Sequence, residues 1–270
     1  MSTPAFVTLE TRGDGVAILT LENPPLNLNT LTTLSKLKDA CERVHNDVGI
    51  RVLVVTGSGS RAFCAGSDIK EFADVREDVV PRKLAIENEA FTAIEQLPIP
   101  VVAALNGTTL GGGGEIALAC DIRIIDENAR IGFPEIKLGV FPGSGGVFRL
   151  PKVVGHANAL ELLYVGDLID AREAHRIGLV NRIAPAGRAL ETALEYASKL
   201  ASRPSLALAL IKSGVRDASL QTTEEATKRT LADSDRVFRG PDLEEGMAAF
   251  FAKRDPSFTA PRPQNLEEQI

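Results

Sequence analysis

Tryptophan is absent from this 270-residue chain, and Tyr164 and Tyr196 supply its only phenols. Little is available to build a stacking platform for nucleic-acid bases. No basic excess makes up for this: 30 Lys and Arg stand against 36 Asp and Glu, a net charge of −6. That balance argues against non-specific binding to nucleic acid or to a membrane surface, but leaves room for a local patch that meets a phosphorylated ligand. The cysteines are Cys41, Cys64 and Cys120, an odd number with no CxxC spacing. Reduced thiols in a cytoplasmic protein are expected. His45, His156 and His175 lack metal-ligand spacing and paired cysteines, so no metal site is expected. No apolar run approaches the roughly 18 residues of a membrane span. Met1 to Ala5 has neither the basic nor the apolar region of a secretory leader. GxSxG is missing, which excludes a nucleophile elbow.

What remains is ordinary globular material: 44% hydrophobic and 24% charged residues. A chain of this length buries roughly three quarters of its unfolded surface without help from disulfides. Phe6–Glu10 and Val16–Leu21 alternate like strands joined by a hairpin turn at Gly13-Asp14-Gly15. Thr30–Val44 has helical spacing, Arg51–Thr56 is a buried strand, and Lys83–Gln96 is a second amphipathic helix. Pro100–Leu105 is another buried strand, followed by a glycine-rich corner and a small-residue helix over Glu115–Cys120. Ile122–Ile125 and Ala129–Gly132 are short strands. From about Ala171 helices take over: 171–177, 190–202, 205–218, 222–237 and 243–253. The tail from Pro261 to Gln264 is expected to be loose. Alternating strands and helices predict an α/β layer architecture with right-handed crossovers. No fixed-period repeat is visible.

Three segments carry the chemistry. In Phe63–Phe72, Gly66 permits a turn forbidden to other residues, and Asp68 with Glu71 three residues on suggests a capping box at a helix start. Such a start offers unpaired N–H groups, and the Ala65 N–H is a candidate oxyanion donor. Gly111 to Gly114 lead into Glu115. A phosphate loop fails on spacing, because GxGxxG from Gly111 needs glycine where Ile116 stands. An acyl-oxygen site at a helix N-terminus remains. Glu135 follows Pro134 in a third helix start. Taken singly, Glu115 and Glu135 are ordinary first-turn acids; the weight lies in two carboxyls beside two bare-amide corners. Pro142-Gly143-Ser144-Gly145-Gly146 is either another anion-friendly corner or a tight structural turn.

Together these segments resemble the enoyl-CoA hydratase/isomerase (crotonase) family. The resemblance rests on Ala62–Glu71, Asn106–Glu115, Pro134–Gly139, Pro142–Gly146 with Arg149-Leu150, and Glu244–Phe250, in order along nearly the whole chain. It implies a crotonase-like spiral of ββα turns over 1–200, with a C-terminal helical trimerisation region over 201–270. It implies a homotrimer or dimer of trimers, an acyl-CoA substrate and no separate cofactor. Oxyanion donors would be the N–H groups of Ala65 and Gly112, with substrate contacts from Gly66, Ser67, Asp68, Ile69 and Lys253. Both glutamates are present, as in the hydratase branch; related isomerases usually keep only the later one. Glu115 would then activate water and Glu135 would handle the α-proton of a 2-enoyl-CoA. Val147-Phe148 stands where many hydratases carry Thr-Gln. Asn23–Asn27 resembles several isomerase and hydratase/isomerase members. The alternative reading is an enoyl-CoA delta isomerase or another crotonase-type acyl-CoA reaction using the same oxyanion hole.

Overall fold

The computed structural model describes residues 6–263. The expectations that Met1–Ala5 carries no leader and that Gln264 is loose fall on residues outside this range.

The hairpin forms as expected: β1 (Val7–Thr11) and β2 (Val16–Leu21) pair antiparallel, with Leu9 opposite Leu19. Helix α1 (Leu31–Asn46) is capped by Thr30, whose side chain accepts from the Thr33 N–H. Its inner face is Leu34, Leu37, Ala40, Cys41 and Val44, all buried. The chain then winds three times. In each turn a long strand joins one sheet and a short strand joins another. The first turn is β3 (Val52–Gly57), β4 (Ala62–Cys64), then α2 (Ile69–Asp74) and α3 (Ala85–Glu95). The second is β5 (Val101–Leu105), β6 (Thr108–Leu110) and α4 (Gly112–Ala119). The third is β7 (Ile122–Asp126), β8 (Arg130–Gly132), a 3₁₀ turn over Pro134–Leu138, and α5 (Gly146–Val165).

The long strands form one sheet in the order β1-β2-β3-β5-β7, closed by β10 (Arg182–Ala184) and parallel from β2 onward. The short strands form β4-β6-β8, closed by β9 (Ile169–Asp170). This is the spiral of ββα turns. Its long strands start at residues 52, 101 and 122, so the turns have unequal lengths and leave no period in the sequence. Val-, Leu- and Ala-rich strands buried on both faces are what parallel pairing demands. One face is sealed by α1, α3 and α4; the other by the alanine stripe Ala189, Ala193, Ala197 and Ala201 of α7 (Ala189–Ala201), packed on Val52, Val54, Val102 and Ile124.

The short helix α6 (Ala171–Arg176) precedes β10. Beyond α7 come α8 (Ser205–Asp217), α9 (Thr223–Phe238) and α10 (Pro241–Ala252). Lys212 ties α8 to the core, donating to the Ile99 carbonyl and pairing with Asp121. Helix α9 buries no residue, and Leu231, Phe238, Phe250 and Phe251 stand exposed.

The tail corrects its expectation. Arg262 is buried and donates to the carbonyls of Val44, His45, Asp47 and Ile50, where α1 ends and the chain turns into β3. Residues 261–263 are therefore strapped to the core, because a planar guanidinium satisfies several helix-end carbonyls at once.

Candidate active site

The glycine run is helix from Gly112 onward, three residues earlier than expected. Gly111 precedes it at φ +50°, and a Cβ there would lie 2.9 Å from Oε1 of Glu135. A Cβ on Gly113 would lie 2.1 Å from the Cys64 carbonyl oxygen. The run is thus what lets α4 start hard against β4 while its first turn faces Glu135. No described residue accepts from the Gly112 N–H, as expected for a first-turn donor.

Glu115 lies in that first turn, 2% exposed. Its Oε1 accepts the N–H groups of Ser144 at 2.9 Å and Gly146 at 2.8 Å. The Pro142–Gly146 corner is therefore occupied by the protein's own carboxyl group. Burial pushes the Glu115 carboxyl up to about 8, the two N–H groups offset part of this, and the charges of Glu135 and Glu87 raise it further. Glu135 sits in the 3₁₀ turn, half-buried, with Oε2 buried and without a partner among the described residues. Burial lifts its carboxyl to about 7, and Glu87 adds to this. Two carboxyls in one desolvated space cannot both ionise readily at neutral pH, which suits an acid and a base.

The upstream segment departs from expectation in two places. The Ala65 N–H, a candidate for a bare donor, donates to the Leu26 carbonyl at 2.9 Å. The Ala65 amide is therefore not a bare donor; the bare amide at this corner is the Ser67 N–H, beside Gly112 and without an acceptor among the described residues. The capping box at Asp68 does not form. Asp68 caps α2 through the Lys70 N–H, while the Glu71 carboxylate reaches the Leu31 N–H at the start of α1 and the Lys83 ammonium at 2.7 Å. Gly66 (φ +100°) brings its backbone close to Leu110 and Gly112. Ser67 lies beside Gly112, and Ile69 is largely exposed. Lys253 ends α10, exposed, and no hydrogen bond or ion pair among the described residues links it to the other candidates.

Sequence reasoning missed three buried polar groups here. Lys83 is fully buried, donating to the Asn29 carbonyl and to Glu71. Glu87 is 1% exposed and accepts 2.5 Å hydrogen bonds from both Ser67 and Ser144. Asn29 Nδ2 is buried without a partner among the described residues, 2.9 Å from where a Cβ on Gly112 would lie. The only available signal was a lysine and a glutamate four apart in an amphipathic helix, a spacing that ordinarily marks a solvated ion pair. Val147 and Phe148, at the variant positions, are exposed. Cys41, Cys64 and Cys120 are free and buried. Among the described residues no group of three or more potential metal ligands occurs, and no helix is long and apolar enough to cross a membrane.

The Enoyl-CoA hydratase/isomerase family profile matches residues 11–261. A crotonyl-CoA hydratase of Syntrophomonas wolfei is 39% identical over 239 residues, covering 87% of this chain and 92% of that protein. A short-chain-enoyl-CoA hydratase of Clostridium acetobutylicum is 37% identical over 250 residues, covering 92% and 95%. The crystal structure of an enoyl-CoA hydratase from Bacillus anthracis superposes with a TM-score of 0.90 at 34% identity, covering 94% of this chain and 99% of that one.

Proposed function

The chain belongs to the enoyl-CoA hydratase/isomerase family, and from that premise we propose that it is an enoyl-CoA hydratase that adds water across the 2,3-double bond of a 2-enoyl-CoA to give 3-hydroxyacyl-CoA. The observation that carries the reading is the presence of Glu115 and Glu135 together, close enough that the charge of Glu135 raises the Glu115 carboxyl and that Glu87 raises both. Its named relatives are crotonyl-CoA and short-chain-enoyl-CoA hydratases, which supports the same reaction here.

Attack of water at the β-carbon drives negative charge onto the thioester oxygen. The Gly112 N–H, backed by the partial positive charge of the α4 N-terminus, is one donor to that oxygen. The Ala65 N–H is held by the Leu26 carbonyl, so the second donor is the Ser67 N–H, which lies beside Gly112 and has no acceptor among the described residues. Losing one such donor typically raises the barrier by about 3–4 kcal/mol. Glu115 has Oε1 held by two N–H groups, so Oε2 is its free oxygen for orienting and deprotonating water. Glu135, whose Oε2 has no protein partner among the described residues, serves the α-carbon. The thioester is polarised by these amides, so the reaction calls for no separate cofactor. Gly66, Ser67, Asp68 and Ile69 form the substrate-side wall, and Lys253 of a neighbouring subunit meets the CoA moiety. Residues 1–200 make the catalytic spiral. Residues 201–270, with the exposed apolar side chains of α8–α10, make the association region of a cytoplasmic homotrimer or dimer of trimers.

The test is a spectrophotometric screen of 2-enoyl and 3-enoyl CoA thioesters of several lengths. Loss of the conjugated enoyl absorbance from a short 2-enoyl-CoA is expected. Preferential consumption of a 3-enoyl-CoA, with conjugation appearing, would replace hydration by double-bond migration.

A further inference from the structure

Glu87 lies in neither glutamate corner, yet it touches both sides of the site. It comes from α3, which gave no functional signal in the sequence. Its Oε1 accepts from Ser67 Oγ at 2.5 Å, beside Gly112 and the oxyanion corner. Its Oε2 accepts from Ser144 Oγ at 2.5 Å, and the N–H of that same serine holds Glu115. The corner containing Ser144 is pinned from α3 at further points. Asn88 donates to the Gly143 carbonyl, and Arg149, anchored by Glu95, donates to the Ser144 carbonyl. A carboxylate this buried is costly unless it is paired and fully hydrogen-bonded. Lys83, with Nζ 3.5 Å from Oε1, supplies the countercharge, itself shared with Glu71 of α2.

We propose that Glu87 is a positioning residue for the hydration, spanning the oxyanion corner and the Glu115 corner so that the thioester oxygen and the attacking water are held at a fixed separation. The proposal rests on the hydratase reading of the same site. Both carboxylate oxygens are used, one for each corner, and a short bond from a hydroxyl to a carboxylate is among the stronger and more directional contacts available. Removing either contact frees one corner relative to the other, and misplacement of about 1 Å can cost on the order of 10²-fold in rate. The charge on Glu87 also acts on the site. The ionisable groups facing it are Lys83 and, through Lys83, Glu71; Cys64 from β4; Glu115 from α4; and Glu135 from the 3₁₀ turn.

The test compares Glu87→Gln, Ser144→Ala and the double variant with the wild type. Steady-state hydration of a short 2-enoyl-CoA is measured alongside thermal unfolding and ¹³C NMR titration of the glutamate carboxyls. Expected are a kcat lowered about 10–100-fold with KM within about threefold, no further loss in the double variant, and Glu115 and Glu135 titrating at lower pH in Glu87→Gln. Ser144→Ala keeps every backbone contact and all charges, so it still reports if Glu87→Gln folds poorly. The NMR titration needs no turnover. If the wild type fails to hydrate any 2-enoyl-CoA, the hydratase reading falls while the titration still judges the role of Glu87. Unchanged kcat in Ser144→Ala, additive losses in the double variant, or unmoved carboxyl titrations in Glu87→Gln would overturn the proposal.

Discussion

The corners that hold Glu115 and Glu135 solve one problem in opposite ways. Glu115 stands on an α-helix and is gripped: two N–H groups fix one oxygen, and Ser144, which supplies one of them, is held in turn by Glu87 and Arg149. Glu135 stands on a single 3₁₀ turn and is barely gripped, with a buried oxygen that finds no partner among the described residues. The more tightly bonded carboxyl is nevertheless the one pushed higher, to about 8 against about 7. Desolvation outweighs the two hydrogen bonds. On the proposed hydration, the carboxyl that keeps its geometry while water is activated is fixed by amides, and the one that moves a proton to and from carbon is left an open oxygen.

The largest expected effect comes from removing either acid. Glu115→Gln and Glu135→Gln should each lower kcat for hydration by about 10²–10⁴-fold, measured by absorbance loss. Survival of hydration in either variant would break the symmetry of need between the corners.

Next come the glycines that shape each corner. A Cβ on Gly111 would lie 2.9 Å from Glu135 Oε1, and one on Gly146 would lie 2.6 Å from Pro142 Cβ and 3.2 Å from Glu115 Oε1. Gly111→Ala should cost on the order of 10²-fold in kcat through Glu135. It should cost little more in a Glu135→Gln background, since the two changes act on one group. Gly146→Ala should show the same non-additivity with Glu115→Gln.

A smaller effect lies in stability. A carboxyl whose folded pKa is raised binds more protons folded than unfolded over the intervening pH range. The stability it contributes is full below its ordinary 4.5 and is lost as pH rises through about 8 for Glu115 or about 7 for Glu135. Glu115→Gln should therefore raise Tm by a few degrees at pH 9 and leave it unchanged near pH 4. Glu135→Gln should gain less. Thermal scans at the two pH values decide this.

The smallest effect is at the rim of the Glu135 corner, where Lys137 pairs with Asp167 in solvent. Lys137→Ala should change stability by less than about 1 kcal/mol and leave kcat unaltered.

Much of this site was legible from sequence, for a physical reason. Backbone devices are local: a run of glycines before Glu115, or a proline before Glu135, writes its demand into adjacent residues. Buried strands such as Val52–Gly57 and the alternation of Val16–Leu21 declare themselves in the same way. What stayed hidden depends on contacts between residues far apart in the chain. Nothing near Glu115 says that Ser144 and Gly146 will bind it, and nothing near Glu87 says that it will bridge Ser67 and Ser144. Arg262 in a proline-flanked tail looked loose because its acceptors are helix-end carbonyls more than two hundred residues away. The spiral leaves no repeat in the sequence, because its turns differ in length, and was legible only through the family resemblance. The Leu26 carbonyl on the Ala65 amide is a backbone-to-backbone contact that no side-chain pattern encodes.

The central claim is that Glu115 and Glu135 work as one acid–base pair in a dry site. The most direct test is the pH dependence of kcat/KM for hydration of a short 2-enoyl-CoA by the wild-type protein, which reports the ionisations of the free enzyme. A bell is expected, with limbs near pH 7 and 8 that belong to the pair rather than to either residue. A profile flat from pH 6 to 9, or one with a single limb, would contradict it.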